Sequence, residues 1–310
     1  MQPFTRGVAG LAAMGVAGVG YASLVERFQF TLRRYAVPVL PAGARPVTVL
    51  HLTDMHLLPW QRRKISWITG LAEHQPDLVV HTGDVIAHPD SIEAAVRAFG
   101  PLLDRPGVFV LGSNDYFAPK LKNPALYLTP DHKRGLASTP RLPTADLVAA
   151  LTAGGWQHLR NARGRVRAGD AQLEVVGVDD PHLEYDRYAA VAGPADPTTD
   201  LTVGVMHAPY QRVLDAMAAD GARLLIAGHT HGGQLCLPGF GALVTNCDLD
   251  RRRASGLSRW WPGAGSAPSS AAPPDAAYLE VSAGLGTSPF APVRFACKPS
   301  ASLLTLTPRG

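Results

Sequence analysis

Beyond residue 46 the apolar positions come in short runs that alternate with stretches of helical spacing. Val47–Leu52 is an apolar, β-branched run, predicted as a strand that stops at Thr53-Asp54. Lys64–His74 carries Ile65, Trp67, Ile68 and Leu71 at helical spacing, and Pro76 ends it. Leu78–His81 is a second strand, closed by Gly83-Asp84; Ser91–Phe99 is a helix, and Gly107–Leu111 is a third strand running into Gly112. Thr144–Thr152 reads as a short helix with Thr144 as its N-cap. Ala171–Val178, Leu201–Met206 and Arg223–Ala227 are further strands, with a helix at Gln211–Ala218 between the last two. Tyr278–Ser282 and Ser302–Thr307 are predicted to close a second sheet. Strand, polar loop and helix in repetition mark a parallel α/β sheet, whose ligands sit at the carboxyl ends of the strands.

Three stretches break the rhythm. Pro38–Pro46 reads as a stiff linker, Pro119–Pro143 as a basic insertion, and Ala254–Asp275 as a flexible surface loop. At the amino terminus Val8–Val25 carries no charge. As a helix these positions would extend about 27 Å, close to the roughly 30 Å of a bilayer core. We therefore expect a single-pass anchor. Arg27, Arg33 and Arg34 outnumber Arg6, which favours the cytoplasmic side for the rest of the chain. The expected organisation is an anchor or signal segment with linker at 1–46 and one catalytic domain at 47–310.

Composition narrows the picture. Of 310 residues 46% are apolar, which excludes wholesale disorder. Only 17% are charged, against about 25% in an average soluble domain. Lysine and arginine exceed aspartate and glutamate by 29 − 25 = 4, too small a surplus for a nucleic-acid footprint, so no nucleic-acid partner is expected. Cys236, Cys247 and Cys297 have no CxxC spacing and read as buried thiols, although Cys236–Cys247 could close a loop in an exported chain.

The chemistry gathers where the strands end. These ends deliver Asp54 and His56, then Asp84, then Gly112-Ser113-Asn114-Asp115, then His207, then His229 and His231. In an extended segment, residues two apart project to one side, so Asp54 with His56, and His229 with His231, could each grip a cation. Seven nitrogen and oxygen donors are too many for one tetrahedral zinc and suit two divalent ions if a carboxylate bridges them. Such ion pairs stabilise the oxygens of an in-line displacement at phosphorus. His51, His74, His81, His132 and His158 match no ligand position, whereas Asp179–His182 and Gln234 could border a substrate.

These elements, in this order, resemble the calcineurin-like metallophosphoesterases from about Val47 to Thr307. The GHTHGGQ run at Gly228–Gln234 is similar to a bacterial, membrane-associated subgroup that includes UDP-2,3-diacylglucosamine pyrophosphohydrolases and envelope phosphodiesterases of the YkuE type. The resemblance implies a four-layer αββα sandwich of two mixed sheets and a dinuclear centre of Mn, Fe, Zn or similar ions. Asp54, His56 and His231 would hold one metal; His207 and His229, with Asn114, would hold the other; Asp84 would bridge, and a hydroxide between the ions would attack phosphorus. The implied activity is hydrolysis of a phosphodiester or pyrophosphate, of a lipid-linked or nucleotide-sugar substrate. One element departs from the family pattern. Its Gly-Asn-His-Asp/Glu motif is Gly112-Ser113-Asn114-Asp115 here, so the assisting histidine is absent and either Ser113 or Asn114 takes the ligand position, Asn114 being the better donor. That absence keeps open a non-catalytic metal-binding envelope protein; a nuclease using the same site is the other alternative.

Overall fold

A computed structural model describes residues 15–121 and 139–310. Its strands are β1 Thr31–Leu40, β2 Val47–Leu52, β3 Leu78–His81, β4 Gly107–Phe109, β5 Gln157–His158, β6 Ala162–Ala168, β7 Ala171–Gly177, β8 Leu201–Val205, β9 Leu224–Ala227, β10 Cys236–Leu237, β11 Gly241–Ala242, β12 Gly256–Trp260, β13 Ala277–Val281 and β14 Ser300–Pro308. Helices of this region are α1 Arg62–Gly70, α2 Ile92–Phe99, α3 Ser113–Tyr116, α4 Thr144–Ala153 and α5 Gln211–Ala219. Two six-stranded sheets form, one in the order β1-β14-β2-β3-β4-β5 and the other β12-β13-β9-β8-β7-β6. Both are mixed: β2, β3, β4 and β5 run parallel, as do β7, β8, β9 and β13, with antiparallel β14 against β2 and β6 against β7.

The period of two within each strand builds the layers. Val47 and Val49 of β2 face the space between the sheets, where they meet Val80, Val175, Val203 and Ile226. Leu50 and Leu52 point the other way and pack beneath Ile68 of α1, Ala95 and Phe99 of α2 and Leu147 and Leu151 of α4. On the far face of the second sheet α5 buries Val213, Leu214 and Met217 against Leu225 and Leu279. Helices, sheet, sheet and helix make the αββα sandwich that the resemblance implies.

Several expectations need correction. Among the described residues no helix is long and apolar enough to cross a membrane. Residues 15–24 are helical, about 15 Å of axis, and the chain then breaks at Val25. Ala22 is buried and its carbonyl accepts from Arg294 N, while the buried carboxylate of Glu26 accepts from Ala296 N and Cys297 N. The segment is thus tied to the sandwich by polar bonds. The anchor helix, the membrane as partner and the single-pass, cytoplasmic-side placement do not stand; positions 8–14 of the expected anchor lie outside the described residues.

Pro38–Leu40, read as linker, belongs to β1, whose Val37, Val39 and Leu40 are buried against β14. Its single proline sits on an edge strand, where a missing N–H is tolerated. β14 joins the first sheet rather than the second. β6 escaped prediction because its inward residues are small and its outward ones are Arg163, Arg165 and Arg167. Gly256–Trp260 is a strand within the expected loop: Trp260 is fully buried, its indole N–H donates to Asp215, and Arg253 binds the carbonyls of Gly265, Arg259 and Ala267. Most of the Pro119–Pro143 insertion (122–138, with His132) lies outside the described residues.

Toward the carboxyl ends of β2 and β3 the apolar layer between the sheets becomes polar. His51 Nδ1 pairs with Glu280 Oε2 at 2.5 Å across the sandwich, Ser302 Oγ donates to Glu280 Oε1, and His51 Nε2 meets Thr82 Oγ1 at 2.8 Å. All of these side chains are fully or almost fully buried. Buried groups of this kind persist only when every member is satisfied. This network ends at Thr82, whose carbonyl reaches the site described next.

Candidate metal centre

The loops after β2, β3 and β9 turn through a backbone conformation that side chains other than glycine rarely adopt. Asp54, His56, Asp84, His229 and His231 all have positive φ, between 42° and 69°. Extended alternation therefore does not bring Asp54 and His56, or His229 and His231, together; left-handed turns do. Such turns cost on the order of 1–3 kcal/mol each and persist where the surrounding structure over-determines them. Here the loops bond one another: Asp54 N to Gly83 O, His56 N to Asp84 O, Gly228 N to His207 O and Gly286 N to Asp54 O.

The result is a convergence of buried donors. One ligand atom each from Asp54, His56, Asp84 and His231 lies within 4.8 Å of the others. Asp54 Oδ2 accepts from Thr53 Oγ1 and His229 N, whereas the buried Oδ1 has no hydrogen-bond partner and faces His231 Nε2 at 3.5 Å. Asp84 lies between two groups of imidazoles: Oδ2 is 3.4 Å from His56 Nε2, and Oδ1 is 3.6 Å from His207 Nε2. His229 Nδ1 is 3.3 Å from His207 Nε2.

Backbone carbonyls set the tautomers. His207 Nδ1 meets Thr82 O at 2.6 Å, His229 Nε2 meets Asn246 O at 3.1 Å, and His231 Nδ1 meets Gly286 O at 3.2 Å. With those nitrogens donating, the other nitrogen of each ring presents a lone pair inward. His231 Nε2 then faces His56 Nε2, and His229 Nδ1 faces His207 Nε2, each at 3.3 Å. A cation between such nitrogens is met by imidazoles from two loops at once, so the residues present fit a metal ion.

Electrostatics point the same way. Burial pushes His56 down to about 4 and also lowers His229 and His231, leaving neutral imidazoles suited to ligation. For Asp54 burial alone would raise the carboxyl, but His231, His207, His56 and His229 outweigh it and hold the group well below the usual carboxylate range. Burial would likewise lower His207, yet Asp84, Asp180, Asp54 and the Thr82 carbonyl raise it to about 9. A negative field that strong attracts positive charge, whether proton or metal.

Asn114 comes to the centre as well. Its backbone N–H donates to Asp84 Oδ1 and its amide Nδ2 to Asp84 Oδ2, each at 2.7 Å, while Ser113 lines the same cavity. A half-turn of the amide would bring Oδ1 to that place, an acceptor beside a carboxylate, which requires a cation between them. The next residue, Asp115, was not singled out from sequence. Its carboxylate accepts from the N–H groups of Gly112, Asp84 and Val85, clamping two ligand loops together. Burial and the charge of Asp84 push it up to about 7 against those hydrogen bonds. A carboxylate following a glycine-terminated strand is a signal that could have found it.

Arg294 also escaped sequence reading, since a lone arginine in a loop carries no pattern. Fully buried, it donates to the carbonyls of Ala283, Gly284, Gly286 and His231. His182 does border the cavity, its ring 4.5 Å from that of His229. Gln234 lines it too, with its amide donating to Ala291 O as a turn stabiliser. His51 and His81 are buried supports, as expected. Glycines admit the close approach: a Cβ on Gly228 would lie 2.5 Å from Asp54 Oδ2, and one on Gly112 would lie 2.3 Å from Asp84 Oδ1. Gly228→Ala should lower stability by about 1–3 kcal/mol, the range for overpacking. It should also weaken metal binding, read by thermal melts with and without Mn²⁺; a variant that melts and binds as the parent does would refute the packing argument.

A metal-binding cluster at the carboxyl ends of strands in an αββα sandwich defines a metal-dependent phosphoesterase. The chain belongs to the calcineurin-like phosphoesterase family, whose model matches residues 47–233. It is 25% identical over 316 residues to the uncharacterized metallophosphoesterase YkuE of Bacillus subtilis, covering 98% of this chain and 96% of that one. An uncharacterized metallophosphoesterase of Aquifex aeolicus is 23% identical over 305 residues, covering 94% and 97% of the two chains. The membrane-associated subgroup suggested by the GHTHGGQ run does not stand, because no described helix can span a bilayer; what holds is the family.

Proposed function

We propose that this phosphohydrolase uses two divalent cations, one held by Asp54, His56 and His231, the other by His207, His229 and Asn114, with Asp84 shared between them. The observation that carries this reading is the position of Asp84, one carboxylate oxygen toward His56 and the other toward His207. When bound, the cations supply Lewis acidity toward the phosphoryl oxygens and a water nucleophile ionised at neutral pH. Residues 47–310 form the catalytic unit in this reading, with β1 added at one sheet edge.

The chain's own groups account for the rest. Thr82, Asn246 and Gly286 carbonyls keep three imidazoles in the tautomer that presents a lone pair. The cavity beside the ligands holds about 120 Å³, room for a phosphoryl group, and Lys120, His182 and Gln234 contribute to its walls. No imidazole follows Asn114 to protonate a departing alkoxide. General acid assistance is worth roughly 10²–10⁴-fold, so its loss favours substrates whose leaving group is already good. A pyrophosphate, such as that of a nucleotide sugar, meets the condition better than an alkyl phosphodiester.

The test is turnover by the purified chain with Mn²⁺ on bis(p-nitrophenyl) phosphate, on an alkyl diester such as glycerophosphocholine, and on a panel of nucleotide sugar diphosphates. Hydrolysis should be abolished by EDTA and restored by Mn²⁺, with diphosphates cleaved faster than alkyl diesters; no turnover on either class would overturn the reading. Asn114→Ala should cost more than the roughly 10–100-fold typical of outer-shell partners, and Ser113→Ala less. The reverse order would assign the ligand to Ser113.

A further inference from the structure

We propose that Cys236 and Cys297 form a dithiol site that a hydroperoxide converts to a disulfide, loosening the His231 loop around its cation. The two residues are 61 positions apart and are brought together by a parallel bridge: Cys236 N donates to Phe295 O and Phe295 N to Gln234 O. Ala296 then takes φ +50°, which turns the chain so that Cys297 faces the same side as Cys236. That conformation is rare for alanine, and the Glu26 carboxylate holds it by accepting from both Ala296 N and Cys297 N. Both sulfurs lie against one oxygen, the Gly232 carbonyl, at 3.2 Å from Cys236 Sγ and 3.4 Å from Cys297 Sγ. Cys297 Sγ also reaches the carbonyl of His231 at 3.3 Å.

This pair therefore sits directly under the residue that follows His231. Both cysteines are free thiols in the structure, as is Cys247. Neither residue is fully sealed, Cys236 being 8% and Cys297 6% exposed, which leaves a narrow approach for a small oxidant.

Oxidation proceeds in two balanced steps. One thiol breaks the O–O bond of the hydroperoxide, keeping one oxygen as a sulfenic acid while the other leaves as water or alcohol. The second thiol displaces that hydroxyl as water, and the S–S bond forms. Two electrons and two protons pass from the thiols to the peroxide. The product has no S–H to donate, so the carbonyls of His231 and Gly232 lose the thiol contacts, and the bond draws Cys297 toward Cys236.

The disulfide stands on the thiol geometry alone; its effect on metal rests on the ligand assignment proposed above. The experiment treats the reduced full chain with hydrogen peroxide, maps cross-links by mass spectrometry without reduction, and measures Mn²⁺ affinity by equilibrium dialysis. The expected product is a 236–297 cross-link with Mn²⁺ affinity lowered about tenfold, the lower end for loss of an outer-shell partner, and restored by dithiothreitol. Cys247→Ser should behave like the parent, whereas Cys236→Ser and, independently, Cys297→Ser should form no bridge and show no reversible change. Three unmodified thiols after treatment, a bridge to Cys247, or a 236–297 bridge with unchanged affinity would each overturn the proposal. Reduced protein that binds no Mn²⁺ would overturn the ligand assignment and the metal effect together, while the cross-link still decides the disulfide.

Discussion

Asp84→Asn should lower kcat/KM for Mn²⁺-dependent phosphodiester hydrolysis by more than 100-fold, beyond the roughly 10–100-fold of an outer-shell change. The substitution keeps size and the bond from Asn114 N but removes one negative charge from between His56 and His207. An amide cannot serve two cations as a carboxylate does, so metal content should fall as well. Initial rates with metal analysis of the same samples check it. Full activity in Asp84→Asn would remove the shared carboxylate from the mechanism.

The second large effect concerns stability. Arg294→Met should destabilise the fold by about 3–5 kcal/mol, the range for removing one partner from a buried charged arrangement. Its guanidinium binds the carbonyls of Ala283, Gly284, Gly286, His231 and Cys297, all from segments that enclose the site. Methionine fills the volume but leaves the Ala283 and Cys297 carbonyls without a donor, at roughly 1–3 kcal/mol for each one that stays buried, and removes one of the donors shared by Gly284, Gly286 and His231. Burial lowers the Arg294 pKa, opposed by Cys297, Asp54 and Glu26, yet a guanidinium stays charged at any pH of interest. Because Gly286 also accepts from His231 and donates to Asp54 O, the damage should reach the metal ligands. Urea unfolding should show an earlier midpoint, and Arg294→Lys, which keeps charge but not the planar fork, should recover less than half of the loss. An unchanged midpoint in Arg294→Met would mean that water replaces the arginine without cost.

The ligand candidates were legible because each sits where an apolar run stops. Asp54, Asp84, Asn114, His207, His229 and His231 all follow strands whose periodicity is visible in the chain. Elements with weak contrast were not legible. β6 alternates arginine with alanine, glycine and valine, and β12 lies within a run of small residues, so neither stands out as apolar. β1 was hidden by its proline and by an uncharged stretch upstream whose length matched a membrane span and drew the expected start of the fold to residue 47.

Residue types and strand-end positions alone marked the α/β rhythm, the candidate donors and the resemblance to the family, because periodicity and spacing are local properties; the sandwich followed only from that resemblance. Tertiary structure decided how those donors meet. Left-handed turns at five of them, the Asp115 clamp, the Arg294 carbonyl cradle and the His51–Glu280 bridge all join segments far apart in the chain. Each of these costs free energy on its own, as strain or as a buried polar group. Only the closed sandwich, which supplies every partner at once, makes such conformations stable, and no local pattern can encode that.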